Sequence, residues 1–304
     1  MTTVLALVAY AALAGVVAPY ALAGARWAYR APKAAVVVWQ GLMAAFVVTT
    51  ASAGYQLALA EQHMHDGLVG LLSVCGLSRA ATGSPAPTTA DALLLLPPLV
   101  VVLMPTGWLL HCLRRTGRVR RRSLDMLALV GRQDPEYGVT VVDHPAAAVY
   151  CLPGRSGRIV VTQGALDVLT DAQLRAVLAH ERAHLDGRHH LLHATTRAFR
   201  CAFPGLPLAG LGREQTALLL EMIADDRAMS SHPRDVLATA MYEVAAGQAP
   251  EAAFGAGGPG ALIRLRRMLA PQHKPRRVTG WSLVAASLAA PLLPLLLACA
   301  PALG

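Results

Sequence analysis

Residues 4–23, 34–60, 93–113 and 278–300 contain no Asp, Glu, Lys or Arg, and each stretch is long enough to cross a bilayer as a helix. Lipid offers the backbone no hydrogen-bond partners, so a spanning segment must satisfy its own amides, which a helix does. The chain is therefore predicted to be an α-helical membrane protein with four transmembrane helices. Charged residues make up only 15% of it, against about a quarter in an ordinary soluble domain. Pro97, Pro98 and Pro105 in the third stretch, and Pro291 and Pro294 in the fourth, predict kinks. A transporter is disfavoured, because no ionisable Asp, Glu, Lys or Arg lines these stretches.

Basic residues orient the spans. Ala21-Leu22-Ala23 resembles a signal-peptide cleavage site, but Arg26, Arg30 and Lys33 follow the apolar run where a signal peptide would carry its charge ahead of it. An uncleaved first span with an outer N-terminus is expected. Those three cations put the first loop in the cytoplasm. The loop from Glu61 to Asp91 holds three acidic residues and only Arg79, as suits the outer side. Arg114, Arg115, Arg118, Arg120, Arg121 and Arg122 follow the third span, and Arg264, Arg266, Arg267, Lys274, Arg276 and Arg277 precede the fourth. Both ends of the segment between them are thus predicted to be cytoplasmic, and the C-terminus outside. The expected organisation is a three-span membrane domain (1–113), a cytoplasmic domain (114–277) and a last span (278–304). The net charge of +9 follows from this distribution. A basic run beside a span meets anionic lipid, so no direct nucleic-acid binding is expected. Cys75, Cys112, Cys151, Cys201 and Cys299 are widely spaced with no CxxC pair, and read as free thiols.

Within the middle segment stands His180-Glu181-Arg182-Ala183-His184. Thr170-Asp171-Ala172-Gln173 fits a capping box, and Leu174, Val177, Leu178 and Leu185 recur at helical spacing, so the motif lies on a helix that Gly187 ends. On a helix, His180 and His184 share one face and can hold one metal ion, while Glu181 can reach a water bound to it. This is the HExxH pattern of zinc peptidases. Catalytic zinc keeps three protein ligands and an open position. Glu221, after the apolar run Leu218-Leu219-Leu220, is the expected third ligand. Asp225, one helical turn on, is expected to accept the free ring N–H of a liganding histidine. Asp226 is adjacent, but the i, i+4 relation favours Asp225. Arg227, His232 and Tyr242 are candidate donors to a developing oxyanion, with no ground for choosing among them. His189, His190 and His193 read as surface or lipid-headgroup contacts. His63-Met64-His65-Asp66 reads as an exposed polar loop.

Strands are predicted at 139–142, 147–152 and 158–162, with a turn at Pro153-Gly154-Arg155-Ser156-Gly157. Helices are predicted at Asp171–Asp186, about 188–201, about 213–230 and 234–248. Residues 147–152 are expected to be an edge strand on which an extended peptide can lie.

Three spans, an HExxH domain with a downstream Glu221-Met222-Ile223-Ala224-Asp225 helix, and a last span resemble the signal-transducing membrane metallopeptidases of the beta-lactam-receptor (Bla/Mec receptor) type. The resemblance covers nearly the whole chain. It implies a cytoplasmic α+β gluzincin domain with Zn²⁺ on His180, His184 and Glu221. It also implies a cytoplasmic protein substrate such as a winged-helix transcriptional repressor, cut on an outside signal, often with self-cleavage. The extracellular penicillin-binding sensor domain of the antibiotic receptors has no counterpart before Gly304, so beta-lactam sensing is not expected. A second resemblance is to the heat-shock and prenyl-protein membrane peptidases, which share HExxH and a downstream glutamate but often place apolar spans between them. Arg188, Arg197, Arg200 and Arg213 interrupt that interval here. A receptor with a purely structural zinc is the alternative outside enzymes, and it would need a fourth protein ligand.

Overall fold

The structure, a computed structural model, describes residues 2–58, 95–154, 157–248, 258–270 and 277–299. The predicted outer loop with His63 to Asp66, together with Arg79, Lys274 and Arg276, lies outside the described residues.

Among the described residues, three helices are long and apolar enough to cross a membrane. The first, α1, covers Thr2–Ala23 with a wider π-type turn at Leu13–Val17. A short α2, Arg26–Arg30, leads into α3, Pro32–Ala58. Next described is α4, Leu96–Val130, 35 residues without a break. At 1.5 Å per residue it is about 52 Å long, well beyond the roughly 30 Å of a hydrocarbon core. Its N-terminal half exposes Leu99, Val100 and Leu103, and its C-terminal half carries the basic run, so one helix continues past the span. The predicted fourth span is interrupted. Helix α11, Arg277–Ala289, and helix α12, Leu292–Cys299, meet at Ala290 and Pro291. Pro291 lacks the N–H that would continue the ladder, and neither piece reaches 18 residues.

Gly41 of α3 lets α11 approach closely, since a Cβ there would lie 2.6 Å from the Ser287 carbonyl oxygen. Small residues serve helix packing in lipid in this way.

After α4 come β1 (Gly131–Asp134), β2 (Val139–Val142), β3 (Val149–Leu152) and β4 (Arg158–Thr162). The sheet order is β1-β2-β4-β3, with β2 and β4 parallel and the outer pairs antiparallel. Strand β3 is therefore an edge, as predicted for residues 147–152, while β1 was not foreseen. Among the described residues, six more helices precede α11. These are α5 (Gln163–Val168), α6 (Asp171–Asp186), α7 (His189–Ala202), α8 (Pro207–Ala228) and α9 (Arg234–Gln248), and then α10 (Gly258–Leu269).

Val139, Val141, Ile159 and Val161 of the sheet pack on Leu174, Val177 and Leu178 of α6. A separate core joins Trp39 and Met43 of α3 to Phe199 of α7 and to Leu208, Leu219, Leu220 and Met222 of α8. Helix α8 thus sits directly on a candidate membrane span. A third cluster holds α10 against α6, α8 and α9 through Met268, Ala176, Ala228 and Leu237.

Candidate metal centre

Helix α6 starts where the capping box puts it. Thr170 Oγ1 accepts from the Gln173 amide, and Gln173 Oε1 accepts from the Thr170 amide. Arg182 donates to the Tyr137 carbonyl at 2.9 Å, tying the helix to the β1–β2 connection. The packed face of α6 then turns His180 and His184 toward α8.

Helix α8 begins with Pro207 at its first turn, where the missing N–H costs nothing. Glu221 and Asp225 lie one turn apart on the face toward α6. His180 Nε2 is 3.1 Å from His184 Nε2 and 3.6 Å from Glu221 Oε2, and His184 Nε2 is 3.5 Å from Glu221 Oε1. Zinc bonds of 2.0–2.2 Å in a tetrahedron put neighbouring donor atoms about 3.4 Å apart. With one donor atom from each, the three side chains lie within 4.8 Å of one another, close enough to hold a single metal ion. Among the described residues they form the one group of three His, Cys, Asp or Glu able to hold a metal.

Each histidine is held from behind. His180 Nδ1 lies 3.1 Å from Asp225 Oδ1, as the i, i+4 argument expects. His184 Nδ1 lies 2.8 Å from His189 Nδ1, with the two rings edge to face. His189 is not a surface residue as predicted; it is 4% exposed. The reason is the turn between α6 and α7. Arg188 adopts a left-handed conformation (φ 48°), folding the start of α7 back over His184. Gly187 makes the room, because a Cβ there would meet His189 Nε2 at 2.5 Å. The missed signal is the short interval between the helix-ending glycine and the next histidine, which allows only a tight reversal.

A second residue missed by sequence reasoning is Arg264 of α10, read there only as a topology charge. Its Nε and Nη2 donate to the two oxygens of Asp225 at 2.9 and 2.7 Å, and its Nη1 lies 2.9 Å from Glu221 Oε2. Asp225 is almost completely buried. Two carboxylates on one half-apolar face need a counter-charge, which is the clue the sequence offers; the 39-residue separation hides which cation supplies it.

The charges follow from these contacts. Burial alone would favour neutral Glu221, but His180 and Arg264 overcome it and hold its carboxyl down to about 2. Burial likewise opposes charge on His180, yet Asp225 and Glu221 raise it to about 9. His184 is pushed down to about 4, chiefly by burial. Burial raises Glu181 above the ordinary carboxylate value. The Cys151 thiol, on edge strand β3, is hydrogen-bonded to Glu181 and is pushed up to about 12 by burial and by that carboxylate. Cys112, Cys151 and Cys201 are free thiols.

None of the three oxyanion candidates shares a described hydrogen bond or ion pair with this cluster. Arg227 is exposed, Tyr242 is 58% exposed, and His232 is bonded locally at Ser231 and the Ala228 carbonyl.

A buried and a partly buried histidine from one helix, a glutamate from a second and an acid beside the first histidine make the arrangement of a metallopeptidase centre. Comparison with known families agrees at that level: residues 113–224 match the model of Peptidase family M48. The match takes in His180, Glu181, His184 and Glu221 and stops one residue before Asp225. No curated protein and no solved structure matches the chain.

Proposed function

We propose that the protein is an integral-membrane zinc endopeptidase that cuts a protein substrate on the cytoplasmic side. The observation that supports this most is the His180, His184, Glu221 group, two imidazoles and a carboxylate with one donor atom each within 4.8 Å of the others. These three residues would hold the ion. When bound, zinc supplies Lewis acidity at the scissile carbonyl and lowers the pKa of a coordinated water to near 7.

The remaining chemistry belongs to the chain. The substrate backbone lies extended along the free edge of β3, gaining main-chain hydrogen bonds. Glu181 takes a proton from the water whose oxygen bonds to the carbonyl carbon. It returns that proton to the amide nitrogen as the C–N bond breaks, so the products are a carboxylic acid and an amine, and transfer of the acid's proton to the amine leaves them as carboxylate and ammonium. Asp225 and His189 keep the two imidazoles aimed. The basic residues flanking 114–277 support a cytoplasmic active domain. The receptor-type resemblance supports a signalling role in which a transcriptional repressor is the substrate.

The test is Glu181→Gln in membranes containing the full chain. Cleavage of the substrate is expected to fall by roughly 10²–10⁴-fold while zinc content stays at one ion per chain. Unchanged proteolysis would reject Glu181 as the base, and with it this mechanism.

A further inference from the structure

We propose that Arg264 is a positioning residue for the zinc centre, one guanidinium fixing the ligand Glu221 and the histidine-orienting Asp225 together. The proposal rests on the reading of His180, His184 and Glu221 as a zinc site. It concerns a residue that lies 40 positions beyond the end of the family match.

Three of the five Arg264 N–H groups are committed here. Two form the parallel fork to Asp225, at 2.9 and 2.7 Å, and the third reaches Glu221 Oε2 at 2.9 Å. The arrangement has three consequences. Glu221 is held by one oxygen, leaving Oε1, 3.5 Å from His184 Nε2, to face the ion. Asp225 cannot rotate, so its Oδ1 stays 3.1 Å from His180 Nδ1 and fixes that ring. Charge also balances: zinc and Arg264 together match Glu221, Asp225 and an ionised Glu181. Arg264 side-chain exposure is only 15%, so the pairing works in a poorly screened setting.

The same helix supplies a control. Arg267, one turn further along α10, forms an equivalent fork to Asp226 at 2.7 and 2.8 Å and donates to the Tyr29 carbonyl. Through Asp226 and the Tyr29 carbonyl it anchors α10 to α8 and to the α2–α3 corner. If Arg264 were only a tie for α10, losing either arginine would have the same effect on the metal.

The experiment uses the full chain in detergent, with Arg264→Gln, Arg264→Lys and Arg267→Gln. Zinc affinity is measured by competition with a chromophoric chelator, the cobalt(II) derivative by its visible absorption, and folding by thermal melting. Arg264→Gln is expected to weaken zinc binding by roughly 10–100-fold and to broaden the cobalt spectrum. Arg264→Lys is expected to fall between, since an ammonium is a point charge and cannot fork to one carboxylate while bonding another. Arg267→Gln is expected to keep wild-type zinc affinity even if its melting temperature falls as far. Should Arg264→Gln not fold, Arg264→Lys against Arg267→Gln decides. Wild-type zinc affinity in both Arg264 variants, or an equal loss in Arg267→Gln, overturns the proposal alone. A wild-type chain that takes up no zinc overturns the underlying reading and this proposal with it.

Discussion

His180 has polar neighbours at both ring nitrogens, Asp225 at Nδ1 and His184 with Glu221 at Nε2, and these bear on its charge before metal arrives. With the imidazole raised to about 9 by Asp225 and Glu221 against the opposing burial, His180 is charged at neutral pH. Its Nδ1–H faces Asp225 and its Nε2–H faces His184 Nε2. His184, pushed down to about 4 by burial, is neutral, so its Nε2 accepts and its Nδ1–H donates to His189. Glu221, held near 2, is already ionised. Metal requires neutral imidazoles, so zinc displaces one proton, that on His180 Nε2. Calorimetry at pH 7 in buffers of different ionisation enthalpy is expected to show release of about one proton per zinc. Zinc affinity is expected to rise about tenfold per pH unit up to about pH 9 and level off above it. No proton release at pH 7 would contradict the assignment.

The residues legible in the sequence at this scale were those within one helical turn of each other. His180, Glu181 and His184 share a five-residue motif, and Glu221 and Asp225 share another. Helical periodicity turns such spacing into geometry. His189 and Arg264 were not legible, because the contacts that define them cross a tight reversal and a 39-residue separation from Asp225, where periodicity says nothing.

Among the elements, the junction from α6 to α7 does the most for the site. Gly187 caps α6, Arg188 takes the left-handed turn, and α7 opens with His189 against His184. A methyl at 187 would collide with His189 Nε2 and crowd the Ala183 carbonyl. Gly187→Ala is therefore expected to weaken zinc binding by about tenfold through displacement of His189. Adding His189→Ala should then cost nothing more, because both changes remove one interaction. Full additivity in the double-mutant cycle would show that Gly187 acts elsewhere. Capping signals made α6 legible to the residue, and proline explains why α8 starts earlier than the predicted 213. Strand β1 is four residues, two of them charged and one amide, with no apolar alternation to announce it. Its pairing with β2, not its own composition, makes it a strand.

Across the whole molecule, apolar helices and metal centre are one packed body. Trp39 and Met43 of α3 share a core with Leu219, Leu220 and Met222, which flank Glu221 on α8. A shift of α3 must therefore move the helix that carries the proposed third ligand, since packed cores respond as units. Hydropathy located the long apolar helices but gave no hint of this docking, because a lipid-facing and a protein-facing leucine look alike in sequence. The proposed peptidase activity depends on an open, oxygen- and nitrogen-ligated zinc at this junction. X-ray absorption at the zinc edge of the purified full chain tests that directly. The expected result is one zinc per chain, with two imidazole nitrogens and two to three oxygens at about 2.0–2.2 Å. A sulfur at about 2.3 Å, as a closed site recruiting a cysteine would give, or a chain devoid of zinc after reconstitution, would contradict it.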